Sequence, residues 1–482
     1  MARLLSRIKG LSPQRLFLLI ALTFGLFFLF SIPALQGWDE ATHFLRTYQV
    51  SEHDFFPDKV GARSWGGQLP VNVLQMNDAF LGDLVQSAKT NLHRSVHSGA
   101  YKVYIKTFTP SKATASREFD SSAVYSPIAY LSSAIAIVIA RVLHLPLLSY
   151  IYLGRLAAFI VWLILMYYAI KRIPVGKWVL VALALLPTTL TLSVSLAPDA
   201  LIIGCAALLT ATFVDYTVKS RPFNKADLFL MIGLLGVLAL TKQTYIVFAG
   251  LFLFLPMRVF ESKKKYVGLN AAFIGIVIVL AGAWLLVTAD ITQNIHASQR
   301  PGLNVNPQHQ ATYIEHHPLN YLAIVGNRIF TNNTNPMYLQ LTGFITWKGI
   351  LLPQWIILLC YLNLIVALLY VNQEASSLKL TPNRFSRYGP LLIAAAMVAA
   401  IYTSLYLAFS LVGSTNIEGV QGRYFLPLIP LCIAPFLYMK RKPLVQFDSS
   451  KLPTIISGIA VLTLTVTVLT VIATNYIPDI FK

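Results

Sequence analysis

Side chains able to do chemistry gather in this chain where apolar runs end. Directly after the first apolar run stands Trp38-Asp39-Glu40-Ala41-Thr42-His43. In a helix, Asp39 and His43 lie one turn apart on one face, and Glu40 and His43 nearly so. Two carboxylates and an imidazole then converge, a set suited to a general base with a metal or phosphate partner. The plainer reading is a solvated helix start whose acids favour the positive end of the dipole. Asp199 follows Leu196-Ala197-Pro198 and opens the next apolar run. Pro followed by Asp is an ordinary helix start, with the acid at the positive end of the dipole.

Three cations need a reason. Lys242 lies in the tight turn Leu240-Thr241-Lys242-Gln243-Thr244-Tyr245 between two apolar runs. It either snorkels or serves an anionic headgroup or phosphate. Arg155 stands about two turns inside an apolar run, where an arginine must snorkel, pair or serve a ligand. Arg423, in Val420-Gln421-Gly422-Arg423-Tyr424-Phe425, precedes another run. Its fork suits phosphate or carboxylate; the alternative is a structural pair with an acid of the first polar stretch. Tyr424 beside it joins the substrate-contacting set. The histidines His93, His97, His296, His309, His316 and His317 are scattered over polar stretches. Adjacent side chains such as His316 and His317 diverge, so they form no metal motif. Asn332-Asn333-Thr334 matches a glycosylation sequon, a pattern of little weight alone.

The elements that must position these groups are membrane helices. Of 482 residues 56% are hydrophobic and only 12% charged, about half the charge of a soluble domain. That excludes a soluble enzyme, a disordered chain and a coiled coil. Strong apolar runs lie near 16–33, 148–170, 178–195, 199–217, 227–241, 245–260, 267–289, 346–371, 388–412, 424–439 and 453–474, with a weaker one near 124–143. The first run lacks a small-residue cleavage site and stays as a helix rather than a signal peptide. No internal repeat is visible. Cys205, Cys360 and Cys432 each sit inside an apolar run and read as small buried side chains rather than a disulfide or thiolate framework.

The net charge of +19 would point to nucleic acid in a soluble protein; here its location decides. If 124–143 does not span, one side of the membrane receives Arg3, Arg7, Lys9 and Arg15, then Lys171, Arg172 and Lys177. The same side receives Lys219, Arg221 and Lys225, then Arg258 and Lys263–Lys265. Lys379, Arg384 and Arg387 follow, and last Lys440–Lys442 with Lys451. That is the positive-inside pattern. If the segment spans, all but the first four charges move outside. The reading is therefore an all-α polytopic membrane protein of about eleven spans, N-terminus cytoplasmic and C-terminus outside. Residues 124–143 form an interface helix, opened by Tyr125-Ser126-Pro127 and carrying Tyr130. The two long polar stretches, 34–123 and 290–345, face outside. The first holds nine of the nineteen acidic residues, so the chemistry is sought on that face.

The Asp-Glu pair after the first span, the long polar stretch, the Tyr-x-Pro before the interface helix and the arginine near the outer end of the next span together resemble the GT-C superfamily. The Pro-Asp helix start and the Thr-Lys turn add to that likeness. These are membrane glycosyltransferases with polyprenyl-phosphate sugar donors. More closely, WDEATHFLRTYQVSE and GVQGRYFLPLIPL resemble the bacterial family of domain-of-unknown-function 2142. The GT-C resemblance implies Asp39 as general base or metal-organising group and Asp199 as a second acidic position. It implies Lys242 and Arg423 as phosphate partners, with Glu40, His43, Arg155 and Tyr424 around the substrate. It implies a GT-C-like module over 1–289, a second outer loop 290–345 that covers the acceptor side, and C-terminal helices over 346–482.

Its partners would be the bilayer, a polyprenyl-phosphate-linked sugar and an envelope glycan or lipid acceptor, in the bacterial plasma membrane, with no nucleic acid. Several relatives use a divalent cation and others none, so a metal is a candidate cofactor. One base suffices for inversion, whereas retention needs a second, nucleophilic carboxylate. Glu40, adjacent to Asp39, is poorly placed for the opposite face. The competing readings are a transporter or flippase of a lipid-linked precursor, disfavoured by the missing repeat and the one-sided charges, and a non-catalytic envelope assembly partner.

Overall fold

The structure, a computed structural model, describes residues 11–90, 98–299, 305–330, 337–346, 350–378, 380, 383–438 and 446–477. Arg3, Arg7, Lys9, His93, His97, Asn332–Thr334, Lys379 and Lys440–Lys442 lie outside the described residues, as do the side chains of Asp83 and His296. The helices that matter for the site are α1 (Pro13–Ser31), α2 (Glu40–Ser51), α3 (Leu131–Val142), α4 (Leu147–Arg172), α5 (Asp199–Lys219), α6 (Lys225–Thr241), α7 (Lys263–Val287), α8 (Gln354–Ser377), α9 (Arg384–Phe409) and α10 (Leu452–Tyr476).

Seven of them, α1, α4, α5, α7, α8, α9 and α10, are long and apolar enough to cross a membrane. Their apolar residues run round the whole helix. In α1, Phe17, Ile20 and Phe28 are buried while Leu19, Phe27 and Phe30 on the other side are exposed. A helix that is apolar on both its packed and its open face is solvated by lipid. The chain is a multi-pass helical membrane protein. α5 is its hub: 89% of its apolar window is buried, and it packs on α4, on α6 and on the segment that carries Arg423.

The other four apolar runs are helical but shorter, broken or more tightly wound. Run 178–195 is two buried helices, Lys177–Ala184 and Pro187–Ser193, divided where Pro187 begins the second. Run 227–241 is α6, capped by the Asn224 side chain, which accepts from the Asp227 N–H. Run 245–260 is a 3-10 helix over Gln243–Phe254 and a 3-10 turn over Met257–Phe260; no residue in it accounts for the tight winding. Run 424–439 is a 3-10 segment, Gly422–Tyr438, interrupted by Pro427, Pro430 and Pro435. Here the cause is plain: each proline lacks an N–H and clashes with the carbonyl four residues back, so an α-helical ladder cannot form.

The weak segment 124–143 contains the 3-10 turn Pro127–Ala129 and α3, of 12 residues. α3 is about 18 Å long, well short of the ~30 Å hydrocarbon core. It buries Ala134, Ile137 and Ala140 and exposes Leu131, Ile135, Ile139 and Val142. The first polar stretch holds α2 and a three-stranded antiparallel sheet of β1 (Asp58–Lys59), β2 (Trp65–Pro70) and β3 (Thr114–Glu118). Gly66 faces Glu118, and Pro70 faces Thr114. Only Gly fits at position 66, where a Cβ would stand 1.8 Å from the Arg117 carbonyl oxygen. The sheet was not expected from the sequence. The second polar stretch folds into short helices, among them Pro307–His316 and Pro318–Phe330.

Candidate functional site

Between α1 and α2 the chain turns sharply through Pro33 to Asp39. Leu35 and Asp39 both take left-handed backbone angles, with φ of 58° and 47°. Asp adopts this region readily and Leu does not, so the turn is held by what surrounds it. The holding group is Arg155. Its Nε and Nη2 donate to the two Glu40 carboxylate oxygens at 2.7 and 2.5 Å. Its remaining N–H groups reach the carbonyls of Leu29, Ile32 and Pro33. Glu40 in turn accepts from the backbone N–H of Gly37 and of Leu196. This buried pair, with no exposure on either side chain, ties the end of α1, the start of α2, α4 and the turn before α5 into one corner.

On that corner Asp39 meets Arg423. The Arg423 Nη2 donates to Asp39 Oδ2, its Nη1 to Asp199 Oδ2 at 3.2 Å and its Nε to Gln421 Oε1 at 2.7 Å. The guanidinium stacks over Trp38 with its carbon 5.0 Å from the ring centre. Gly422 lets the strand of chain before Arg423 press against Gln340 and Leu341, where a Cβ would stand 2.5 Å from their backbone. Lys242, just past α6, lays its Nζ 3.5 Å from the centre of the Tyr424 ring. No carboxylate lies within ion-pair distance of it among the described residues. Tyr245 fixes that wall by donating its hydroxyl to the Tyr424 carbonyl at 2.8 Å.

His43 packs between the rings of Tyr125 and Tyr130, and its Nδ1 is 2.7 Å from the Tyr130 hydroxyl. Burial pushes its imidazole down to about 4 against the opposing pull of Asp39 and Asp199, so it is neutral at pH 7. Burial alone would raise Asp39, but the Arg423 guanidinium beside it holds its carboxyl below the ordinary value. Burial lowers Lys242 to about 8, with Asp199 and Asp39 pulling upward and Arg423 downward.

All eight residues singled out in the sequence therefore meet in one place, but in two tiers. Asp39, Asp199, Lys242, Arg423 and Tyr424 form the front tier, with His43 beside it. Glu40 and Arg155 lie behind, their polar atoms spent on each other and on the backbone. Of the three groups paired there Asp39 is the most open: its side chain is 32% exposed, against 12% for Asp199 and 3% for Arg423. The sequence reading of Asp39 and His43 as residues on one helical face changes in detail. Asp39 is the left-handed residue before α2, and only its carbonyl joins the helix, accepting from the His43 N–H.

Tyr125 and Tyr130, read from sequence as interface anchors, are walls of the site; nothing local in the sequence ties them to His43. A resident metal does not fit the donor set at this point. Among the described residues no group of three or more His, Cys, Asp or Glu side chains could hold an ion, and the Arg423 guanidinium already bridges Asp39 and Asp199. His309, His316 and His317 stand apart on the second polar stretch; His316 Nδ1 is 3.1 Å from the Thr312 carbonyl oxygen. Cys205 and Cys360 are buried and Cys432 half-buried, and none is in a disulfide.

No match was found among curated proteins or among solved structures. A family of predicted membrane proteins, DUF2142, matches over residues 22–432. That span holds every residue of the cluster, from Trp38 to Tyr424, together with most of the chain; the protein belongs to the DUF2142 family of predicted membrane proteins.

Proposed function

We propose that this protein is a GT-C-like glycosyltransferase of the bacterial plasma membrane, with about eleven spans and its site on the outer face. It moves a sugar from a polyprenyl-phosphate donor to an envelope glycan or lipid. The observation that carries the reading is the pairing, in one aromatic-walled cluster, of a partly open carboxylate, Asp39, with a cation that has no carboxylate partner among the described residues, Lys242. The supporting chemistry is direct. The donor phosphate takes Lys242 as its counter-charge and competes with Asp39 and Asp199 for the Arg423 fork. Releasing Asp39 from Arg423 raises its proton affinity when the acceptor arrives. Asp39 then takes the acceptor hydroxyl proton while that oxygen bonds to the anomeric carbon. The bond from that carbon to the phosphate oxygen breaks, and the leaving charge stays on Lys242 and Arg423. Glu40 is locked to Arg155, and Asp199, the second carboxylate of the tier, sits beside Asp39 on the one Arg423 fork rather than across from it, so the scheme uses a single base and inversion. Segments 1–289 and 346–482 work as one unit in this scheme, because Arg423 and Tyr424 complete a site begun by Asp39.

The test is transfer from a synthetic polyprenyl-phosphate sugar by the purified protein in detergent. Asp39→Asn keeps the shape and cannot take a proton; transfer should fall by about a hundred- to ten-thousand-fold. Transfer at the wild-type rate would remove Asp39 as the base. A wild type that transfers from no donor, with lipid-linked precursor accumulating in cells that lack it, would instead favour a flippase.

A further inference from the structure

At the end of the bundle far from Asp39 a groove of about 630 Å³ runs between α4, α5 and α6, within the ~300–1,000 Å³ range of ligand sites. It lies at the other end of α5: Asp199 begins that helix and Lys219 ends it, about 30 Å apart. Its walls are Ile164, Leu165, Leu208 and Leu230, and its rim is Lys171, Arg172, Lys219 and Arg221. Two carboxylates hold the rim in place, Asp215 from the groove's own lining and Asp227 from outside it. Asp227 takes Arg172 at 2.6 Å and the Tyr216 hydroxyl at 2.5 Å. Asp215 takes Lys219 at 2.5 Å and Arg221 at 3.1 Å. Four cations against two carboxylates leave the rim positive. Lys171 stands outside the network, its Nζ 5.9 Å from the centre of the Tyr168 ring. The Arg172 Nε has no hydrogen-bond acceptor among the described residues.

We propose that this groove holds one anionic phospholipid, its phosphate on Lys171 and Arg172 and an acyl chain along Leu208 and Leu165. Three observations select that occupant. The rim carries excess positive charge, which a basic pocket between membrane helices uses for lipid headgroups. The apolar wall continues into the exposed stripe Ile160, Ile164 and Tyr168 of α4, so the groove opens sideways into lipid rather than to water. From Leu208 to Lys219 the groove floor is about 16 Å long, half of the ~30 Å hydrocarbon core. It thus fits the chain of one leaflet, whereas a polyprenyl chain is much longer.

The experiment is native mass spectrometry of the full chain, extracted from nanodiscs of equal phosphatidylglycerol and phosphatidylethanolamine. One phosphatidylglycerol should stay bound per chain. The double variant Lys171→Gln, Lys219→Gln should weaken its retention on the order of twentyfold. Leu230→Trp, which narrows the groove and leaves every charge in place, should also release it, with the thermal midpoint of each variant confirming a folded chain. Equal retention of the two lipids, or undiminished retention in both variants, overturns the proposal. So does displacement of phosphatidylglycerol by an equal concentration of polyprenyl phosphate.

Discussion

Asp39 and Glu40 are neighbours in sequence with opposite tasks, and mutation separates them. Glu40 is fully buried against Arg155 and accepts two backbone N–H groups besides. Glu40→Gln leaves the arginine charge without its counter-ion, a change that costs about 3–5 kcal/mol. A large fall in the thermal midpoint in detergent is expected, and a midpoint within a degree of wild type would refute the locking role. Asp39→Asn leaves Arg423 its bond to Asp199, so the midpoint should fall less than in Glu40→Gln while activity is lost. Lys242 sets a pH limit. Its ammonium titrates at about 8, and only the charged form attracts phosphate, so donor affinity should drop as pH rises through 8. Lys242→Arg keeps its charge well above that pH and should hold its affinity at pH 9. Titration of donor binding by fluorescence at pH 7 and 9 checks both; a wild type with equal affinity at the two pH values removes Lys242 from the phosphate.

At the scale of elements, the first turn of α2 seats His43 against Tyr130 and keeps it neutral. Its imidazole is pushed down from 6.5 to about 4, so the unfolded chain binds this proton more readily. The stabilising contribution is complete above pH 6.5 and is lost as pH falls from 6.5 towards 4. Between pH 7.5 and pH 5 it amounts to about 2 kcal/mol. A lower thermal midpoint at pH 5 is expected, with a flatter pH dependence in His43→Asn; equal slopes in the two proteins would assign the effect to other groups. The seven long helices were legible because hydropathy and length define them. The broken run 178–195 was not, because Pro187 is embedded in residues apolar enough to read as one span. The sheet was hidden too: β1 has two residues, and β2 contains Gly66 and Gly67, poor strand formers. The site was legible in its residue types and in their position at helix ends. Its pairings were not, since Asp39 and Arg423 are 384 positions apart and Glu40 and Arg155 115.

For the whole molecule, the short α3 bears on orientation. In the eleven-span topology we propose, the 12-residue α3 does not cross, both polar stretches lie on one side and the Arg172–Arg221 cluster on the other, which the positive-inside rule would make the cytoplasm. Arg63, Lys264 and His309 are exposed and serve as reporters. In a chain freed of Cys205, Cys360 and Cys432, single cysteines at Arg63 and His309 should react with an impermeant maleimide added to intact cells, and one at Lys264 should not. Reaction at Lys264 from outside would reverse the assignment. The Arg155 corner also bears on biogenesis. An arginine within a membrane helix raises the cost of inserting it, by up to about 2.5–3.5 kcal/mol at the helix centre, and the groups that offset Arg155 belong to the stretch from Leu29 to Glu40. That stretch leaves the ribosome before α4 does, so the order of synthesis supplies the partner before the charge that needs it.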